Sequence, residues 1–264
     1  MGHQLSLGQV LKHLSLFEDL GDQDKEHLAQ SSWLVRQLKG GYVFKRGDRP
    51  KGLYIVITGK IKIAIPGLND HDKVIEFFEA GQQFGEAVMF LDHPYLIDAQ
   101  ALEDSLLVCI AKEALMEIMS TNTVFMKRMI DGLALRFETL LHDIEVVNLP
   151  TAAARVADYL LQHSSQSCEM DLSLPKRTIA SKLGLQPETF SRALHQLRDE
   201  QCITVCRSKI SIINREGLEK HAPQLGFSGE SLNASCPTPA QPHKLPPERD
   251  WTNPASLKYF ECEF

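Results

Sequence analysis

Apolar positions change their period along the chain, and each change marks a region. From about residue 5 to residue 38, Leu11, Leu14, Leu16, Leu20 and Leu28 fall at helical spacing, and Asp22 and Asp24 suit helix starts. From residue 40 to about 110, short runs rich in β-branched and aromatic residues take over, at 42–44, 53–57, 61–65, 74–78 and 106–110. Gly40-Gly41, Gly47-Asp48, Gly59-Lys60, Pro66-Gly67 and Gly81 punctuate them. Short strands at close, regular spacing predict a small antiparallel barrel or roll.

Between Pro94 and Pro150 there is no proline, and Met126, Ile130, Leu133, Phe137, Leu140, Ile144 and Val147 recur at alternating steps of four and three. That is an unbroken heptad seam. Arg128, Asp131, Arg136, Glu138 and Asp143 lie off it, so the apolar stripe is narrow. A pair of like helices explains a narrow stripe better than one helix lying on its own sheet. Residues 121–149 are therefore expected to form a dimerisation helix. From 150 to 222 the pattern is helical and then briefly strand-like. Residues 223–264 hold Pro237, Pro239, Pro242, Pro246, Pro247 and Pro254 among Ser, Asn and Gln, without periodicity, and read as a disordered or loosely attached tail.

The most informative stretch runs from Pro175 to Arg198. It reads as a helix, a turn at Gly184, and a second helix opened by Pro187. Ala180 is small where the helices cross, and Phe190 fills the space between them, as a helix-turn-helix requires. On the second helix Phe190, Ala193, Leu194 and Leu197 form one face, with Glu188, Ser191, Arg192 and His195 opposite. Arg192 can donate twice to guanine O6 and N7, Glu188 can accept from cytosine N4, and Ser191 can meet a neighbouring base. Lys176, Arg177, Thr189 and His195 are placed for phosphates, which fix register without reading sequence. The competing reading makes Glu188 and Arg192 a solvated salt bridge one turn apart. Ile203–Cys206 and residues 209–213, flanking Arg207-Ser208, suggest a hairpin wing.

Charge alters the picture only when divided by region. The 264 residues carry 28 basic and 34 acidic side chains, net −6, which as an average argues against nucleic acid. Between residues 172 and 215, however, eight basic side chains face three acidic ones. That local +5 leaves −11 for the remainder. The six cysteines are scattered, and no basic, apolar leader opens the chain, so they read as reduced cytosolic thiols. The close pair Cys202/Cys206 has no histidine beside it in the sequence, which speaks against zinc. No N-terminal cysteine cluster is present to hold an iron–sulfur centre. Met1-Gly2-His3-Gln4-Leu5-Ser6 fits a myristoylation pattern, set aside because the rest of the chain reads as bacterial. No apolar run is long enough to span a membrane. Neither a catalytic triad nor a phosphate-binding glycine loop is present, so an enzyme is not expected.

The Gly47-Asp48 and Gly59 turns, Phe84-Gly85-Glu86, the long helix and the winged helix-turn-helix together resemble the Crp/Fnr family of transcription regulators, from about residue 11 to 218. The resemblance implies an α+β chain: a cyclic-nucleotide-binding-type antiparallel β-roll in a sensor domain over 1–120, the dimerisation helix over 121–149, a winged helix-turn-helix over 150–222, and the tail. Glu188-Thr189-Phe190-Ser191-Arg192 resembles the Glu-x-x-Ser-Arg pattern of the Fnr branch. It implies a cytoplasmic homodimer on a TTGAT-N4-ATCAA palindrome, working with RNA polymerase. Where cyclic-AMP-binding members carry an Arg-Ser or Arg-Thr pair, this chain has Leu96-Ile97, and Leu140-Leu141 align with the polar pair that meets adenine. Cyclic AMP is therefore not expected. Gly85, Glu86, Leu96, Ile97, Leu140 and Leu141 mark the expected sensor pocket. The wording of residues 85–90 and 186–192 is similar to the Dnr/Nnr subgroup, implying a nitric oxide response through haem. His13, His71, His93 and His142 leave the axial ligand unassigned. The alternatives are a Crp-type regulator with another small-molecule effector, or a ligand-binding module acting through protein contacts.

Overall fold

The computed structural model describes residues 7–67, 72–164, 169–171, 174–206 and 209–222. The expected tail, the myristoylation pattern, His71 and Arg207 lie outside them. The chain opens with α1 (Leu7–Lys12), a 3-10 turn (Ser15–Phe17) and α2 (Asp22–Gln30). Strands follow: β1 (Ser32–Gln37), β2 (Tyr42–Phe44), β3 (Gly52–Thr58), β4 (Ile61–Ile65), β5 (Lys73–Phe78) and β6 (Gln83–Phe84). After α3 (Glu86–Leu91) come β7 (Asp98–Ala101) and β8 (Ser105–Ala111). They form two antiparallel four-stranded sheets, ordered β1-β8-β3-β6 and β2-β7-β4-β5.

The β3 and β8 runs are apolar throughout because both of their faces are buried. Tyr54, Val56, Leu107 and Cys109 point into the roll, where they meet Phe44, Phe78, Phe84 and Tyr95. Leu53, Ile55, Val108 and Ile110 point the other way, onto Leu11, Phe17, Leu28 and Leu115 of the helices. Register pairs Leu53 with Ile110 and Tyr54 with Cys109. Gly52 is required here, since a Cβ would sit 1.9 Å from the Ile110 carbonyl oxygen.

One expectation is corrected. The helical reading to residue 38 fails at Ser32–Gln37, which pairs with β8 from Ser32↔Ile110 to Gln37↔Ser105. Trp33 and Val35 suit a strand, and the partner across the sheet outweighs the leucine spacing upstream.

Next, α4 (Lys112–Thr121) leads to α5 (Thr123–Val147), whose N-cap Asn122 accepts the Phe125 N–H. Phe125 and Met129 of α5 join the sensor core, while Val146 at its other end joins a second core. Between them Met126, Ile130, Phe137 and Ile144 are exposed on a single chain. Leu133, Leu140 and Val147 are half-buried. The second core is built by α6 (Ala152–His163), α7 (Lys176–Lys182), α8 (Pro187–Asp199), the sheet β10-β11-β9 (Ile203–Cys206, Lys209–Ile212, Glu169–Asp171) and α9 (Arg215–His221).

Candidate functional site

The helix-turn-helix forms as its residues dictate. Gly184, at φ +66, ends α7: its N–H donates to the Ser181 carbonyl (3.1 Å) and the Leu185 N–H to the Ala180 carbonyl (2.9 Å). Pro187 opens α8. Ala180, Phe190, Leu194 and Leu197 are buried at the crossing. The opposite face of α8 presents Glu188, Arg192 and His195 to solvent, with Ser191 and Thr189 half-buried. Arg192 Nη2 donates to Thr189 Oγ1 at 3.3 Å. Among the described residues no ion pair joins Glu188 to Arg192, and both side chains stay open to solvent. Lys176 and Arg177 are exposed at the start of α7, and β10 and β11 pair as a hairpin.

The helix-turn-helix is not free of the roll. Ser181 Oγ donates to the Asp72 carbonyl (2.6 Å) and accepts the Val74 N–H (3.0 Å). Lys73 Nζ donates to the carbonyls of Ser181 (3.0 Å) and Lys182 (2.9 Å), where the partial negative end of α7 favours a cation. Burial lowers the Lys73 pKa. Lys182 reaches back to the Ile75 carbonyl (3.0 Å) and to Asp143 of α5 (2.7 Å). A lysine counted from the sequence with the basic reader is thus turned inward. Sequence carried no signal for this, because its partners lie far away in the chain.

A buried pair links α5 to α6: His142 Nε2 lies 3.1 Å from Asp158 Oδ2. That hydrogen bond, against burial, raises the His142 pKa.

In the sensor half, Gly85 adopts φ +94 and Glu86 starts α3, 2% exposed. Arg136 of α5 reaches it, with Nη1 3.1 Å from Glu86 Oε1. The same guanidinium lies 3.8 Å from Glu76, 4.7 Å from the Phe78 ring centre, and donates to the Gln83 carbonyl at 2.9 Å. Burial raises the pKa of both carboxyls and Arg136 opposes it. In the sequence Arg136 stands only as a charge off the heptad seam; in the fold it ties α5 to the roll. Of the other expected pocket residues, Ile97 packs on the roll core, Leu140 and Leu141 are half-buried, and Leu96 is 67% exposed. The structure does not bring Leu96 into the pocket.

Haem needs an apolar slot and an axial side chain. The roll interior is closed by rings, with Phe44 and Tyr95 stacked at 3.6 Å and Tyr54 and Phe84 at 5.5 Å. A groove of about 350 Å³ beside it is lined by Val43, Phe44, Asp48, Arg49, Pro50, Lys51 and Tyr54. Of these Tyr54 is of a kind that ligates haem iron, but burial raises its pKa and keeps the phenol protonated. His13 is bonded to the Gln9 carbonyl, His93 is exposed, and His142 is turned to Asp158. Burial pushes the Cys109 thiol up to about 12. The described residues between roll and α5 do not fit haem in this conformation.

Comparison with known proteins identifies both halves. The cyclic nucleotide-binding domain model matches residues 34–122, and the Crp-like helix-turn-helix domain model matches residues 154–221. The chain is 34% identical to DNR from Pseudomonas aeruginosa, covering 84% of this chain and 100% of that one, with a TM-score of 0.44. It belongs to the Crp/Fnr family of transcription regulators. A Crp/Fnr relative, the fumarate and nitrate reduction regulatory protein of Vibrio cholerae, is 28% identical over 73% of this chain and 78% of its own length. The fold is shared with FixK2 from Bradyrhizobium japonicum at TM-score 0.65 and 20% identity, over 74% of this chain and 98% of that one. Crp/Fnr regulators bind DNA as dimers and are not enzymes. Among the described residues no helix is long and apolar enough to cross a membrane.

Proposed function

We propose that this chain is a cytoplasmic, homodimeric transcription activator that reads a TTGAT-N4-ATCAA palindrome and works with RNA polymerase. The carrying observation is the exposed face of α8, where Glu188, Ser191 and Arg192 stand together on a basic domain. Arg192 reads guanine, Glu188 accepts from cytosine, and Lys176, Arg177, Thr189 and His195 hold phosphates. Met126, Ile130, Leu133, Phe137, Leu140, Ile144 and Val147 pair two copies. Pairing sets the two α8 helices for half-sites about 34 Å apart.

The signal we propose is nitric oxide acting through haem, in the control of anaerobic or nitrogen-oxide respiration. Its support is the wording of residues 85–90 and 186–192. The described residues between the roll and α5 do not fit haem in this conformation. That misfit favours a second reading, in which another small-molecule effector works at Glu86 and Arg136. In both readings the effector shifts the packing of α5 on the roll and frees α7 from β5. To act so, it must bind the freed state more tightly than the docked one.

A mobility-shift titration on the palindrome tests the readout. Arg192→Ala is expected to weaken specific binding by about 1–3 kcal/mol, while leaving non-specific binding close to wild type. Equal affinity of the two proteins for the palindrome contradicts the assignment. Anaerobic haem titration, with and without nitric oxide, separates the effector readings. A stoichiometric band that shifts with nitric oxide supports the first, and none supports the second.

A further inference from the structure

Cys202 has no histidine near it in the sequence, but the fold supplies one. Helix α8 ends in the same pair of bonds as α7: the Gln201 N–H donates to the Arg198 carbonyl and the Cys202 N–H to the Leu197 carbonyl, both at 2.9 Å. At α7 glycine occupies the left-handed position; here Gln201 does so at φ +57, a conformation that costs a side chain roughly 1–2 kcal/mol. The Cys202 carbonyl then accepts the N–H groups of Ile213 (3.0 Å) and Asn214 (3.1 Å). Cys202 is therefore fixed from both sides, between α8 and the start of α9, with its side chain buried. Glu200 precedes that bend, and His221 comes from the last turn of α9 with Nε2 2.5 Å from Glu200 Oε2. The Cys202 Sγ, the His221 ring nitrogen and a Glu200 oxygen all lie within 4.8 Å of one another.

We propose that Glu200, Cys202 and His221 form a binding site for one zinc-class transition-metal ion, with water as a fourth ligand. Sulfur, imidazole and carboxylate together suit zinc, whereas magnesium and calcium take oxygen donors. The ion enters between His221 and Glu200 in place of their hydrogen bond. Zinc–nitrogen and zinc–oxygen bonds of about 2.0–2.2 Å require those atoms to part to a little over 3 Å. Their side chains are 23% and 42% exposed; Glu200 turns toward the ion on giving up a second hydrogen bond, accepted from Gln196 Nε2 at 3.0 Å, while Cys202 stays put. Binding converts the thiol to a thiolate and releases its proton to water; nothing is oxidised or reduced. The bound ion ties the end of the reading helix to α9 and fixes the wing beside it.

The test uses the full-length chain, stripped by chelator and titrated with Co²⁺ as the spectroscopic probe. One equivalent is expected to give a thiolate-to-cobalt charge-transfer band and tetrahedral ligand-field bands, both removed by Zn²⁺. Zn²⁺ is expected to raise the Tm of the wild type. Cys202→Ser is expected to abolish the charge-transfer band, and His221→Gln and Glu200→Gln to weaken cobalt binding by an order of magnitude or more. Absence of the band overturns the proposal, as does a band unchanged in His221→Gln, which leaves the metal on other thiols. His221→Gln decides alone if Cys202→Ser fails to fold.

Discussion

Two of the joints between the halves of this chain are built from opposite chemistry. At one, the first turns of α5 enter the sensor core: Phe125 stacks on Phe17 at 5.9 Å, and Met129 is buried with Leu115 and Ile118. At the other, α7 meets β5 through hydrogen bonds of Ser181, Lys182 and Lys73. Apolar burial has no substitute in water, so the first joint persists while the domain is folded. The bonds of the second exchange for bonds to water at a small net cost each. The first is a structural root and the second a catch. The Arg136–Glu86 pair stands between them, linking the helix that carries the root to the pocket expected to sense the signal.

The root breaks hardest. Phe125→Ala is expected to cost about 3–5 kcal/mol, seen as a lower urea midpoint of the sensor domain. Next comes Arg136→Ala, which leaves Glu86 buried without its cation, at about 3 kcal/mol. Without Arg136 the Glu86 pKa rises further. The loss is therefore least in acid, where Glu86 is protonated in the folded and unfolded chain alike, and grows as the pH rises; thermal melts across pH check this.

Releasing the catch has a smaller thermodynamic effect. Ser181→Ala with Lys182→Met is expected to change domain stability by about 1–2 kcal/mol, and to speed hydrogen exchange at the Val74 amide. The smallest effect is expected at His142→Gln, about 1 kcal/mol. The folded-state pKa of His142 is raised by Asp158, so its contribution is full below the ordinary value of 6.5 and fades as the pH rises through the raised one. Urea midpoints of wild type and variant are expected to converge in alkali.

Legibility followed the range of the forces involved. The helix-turn-helix was readable because Gly184 and Pro187 answer to local backbone demands at their own positions. Strands β3 and β8 were readable because burial on both faces leaves a continuous apolar run. β1 was not, since its state is set by β8, distant in sequence. β7 was not either, as Ala99 and Ala101 alternate correctly but are poor strand formers. Charged residues misled most. Lys182 and Arg136 carry the same signature in sequence as solvated charges, and only the fold brings Asp143 to one and Glu86 to the other. His221 likewise reaches Cys202 only through the turn of α9.

The catch is tested most directly by operator affinity without effector. Fluorescence anisotropy on the labelled palindrome compares wild type with Ser181→Ala/Lys182→Met, and with the same variant carrying Arg192→Ala. Both substituted catch positions lie on α7, off the face of α8 proposed to read bases. Release of α7 is expected to tighten specific binding by about tenfold, equivalent to 1.4 kcal/mol, and Arg192→Ala to remove that gain. Affinity equal to or weaker than wild type in the catch variant, with its fold intact, contradicts the account.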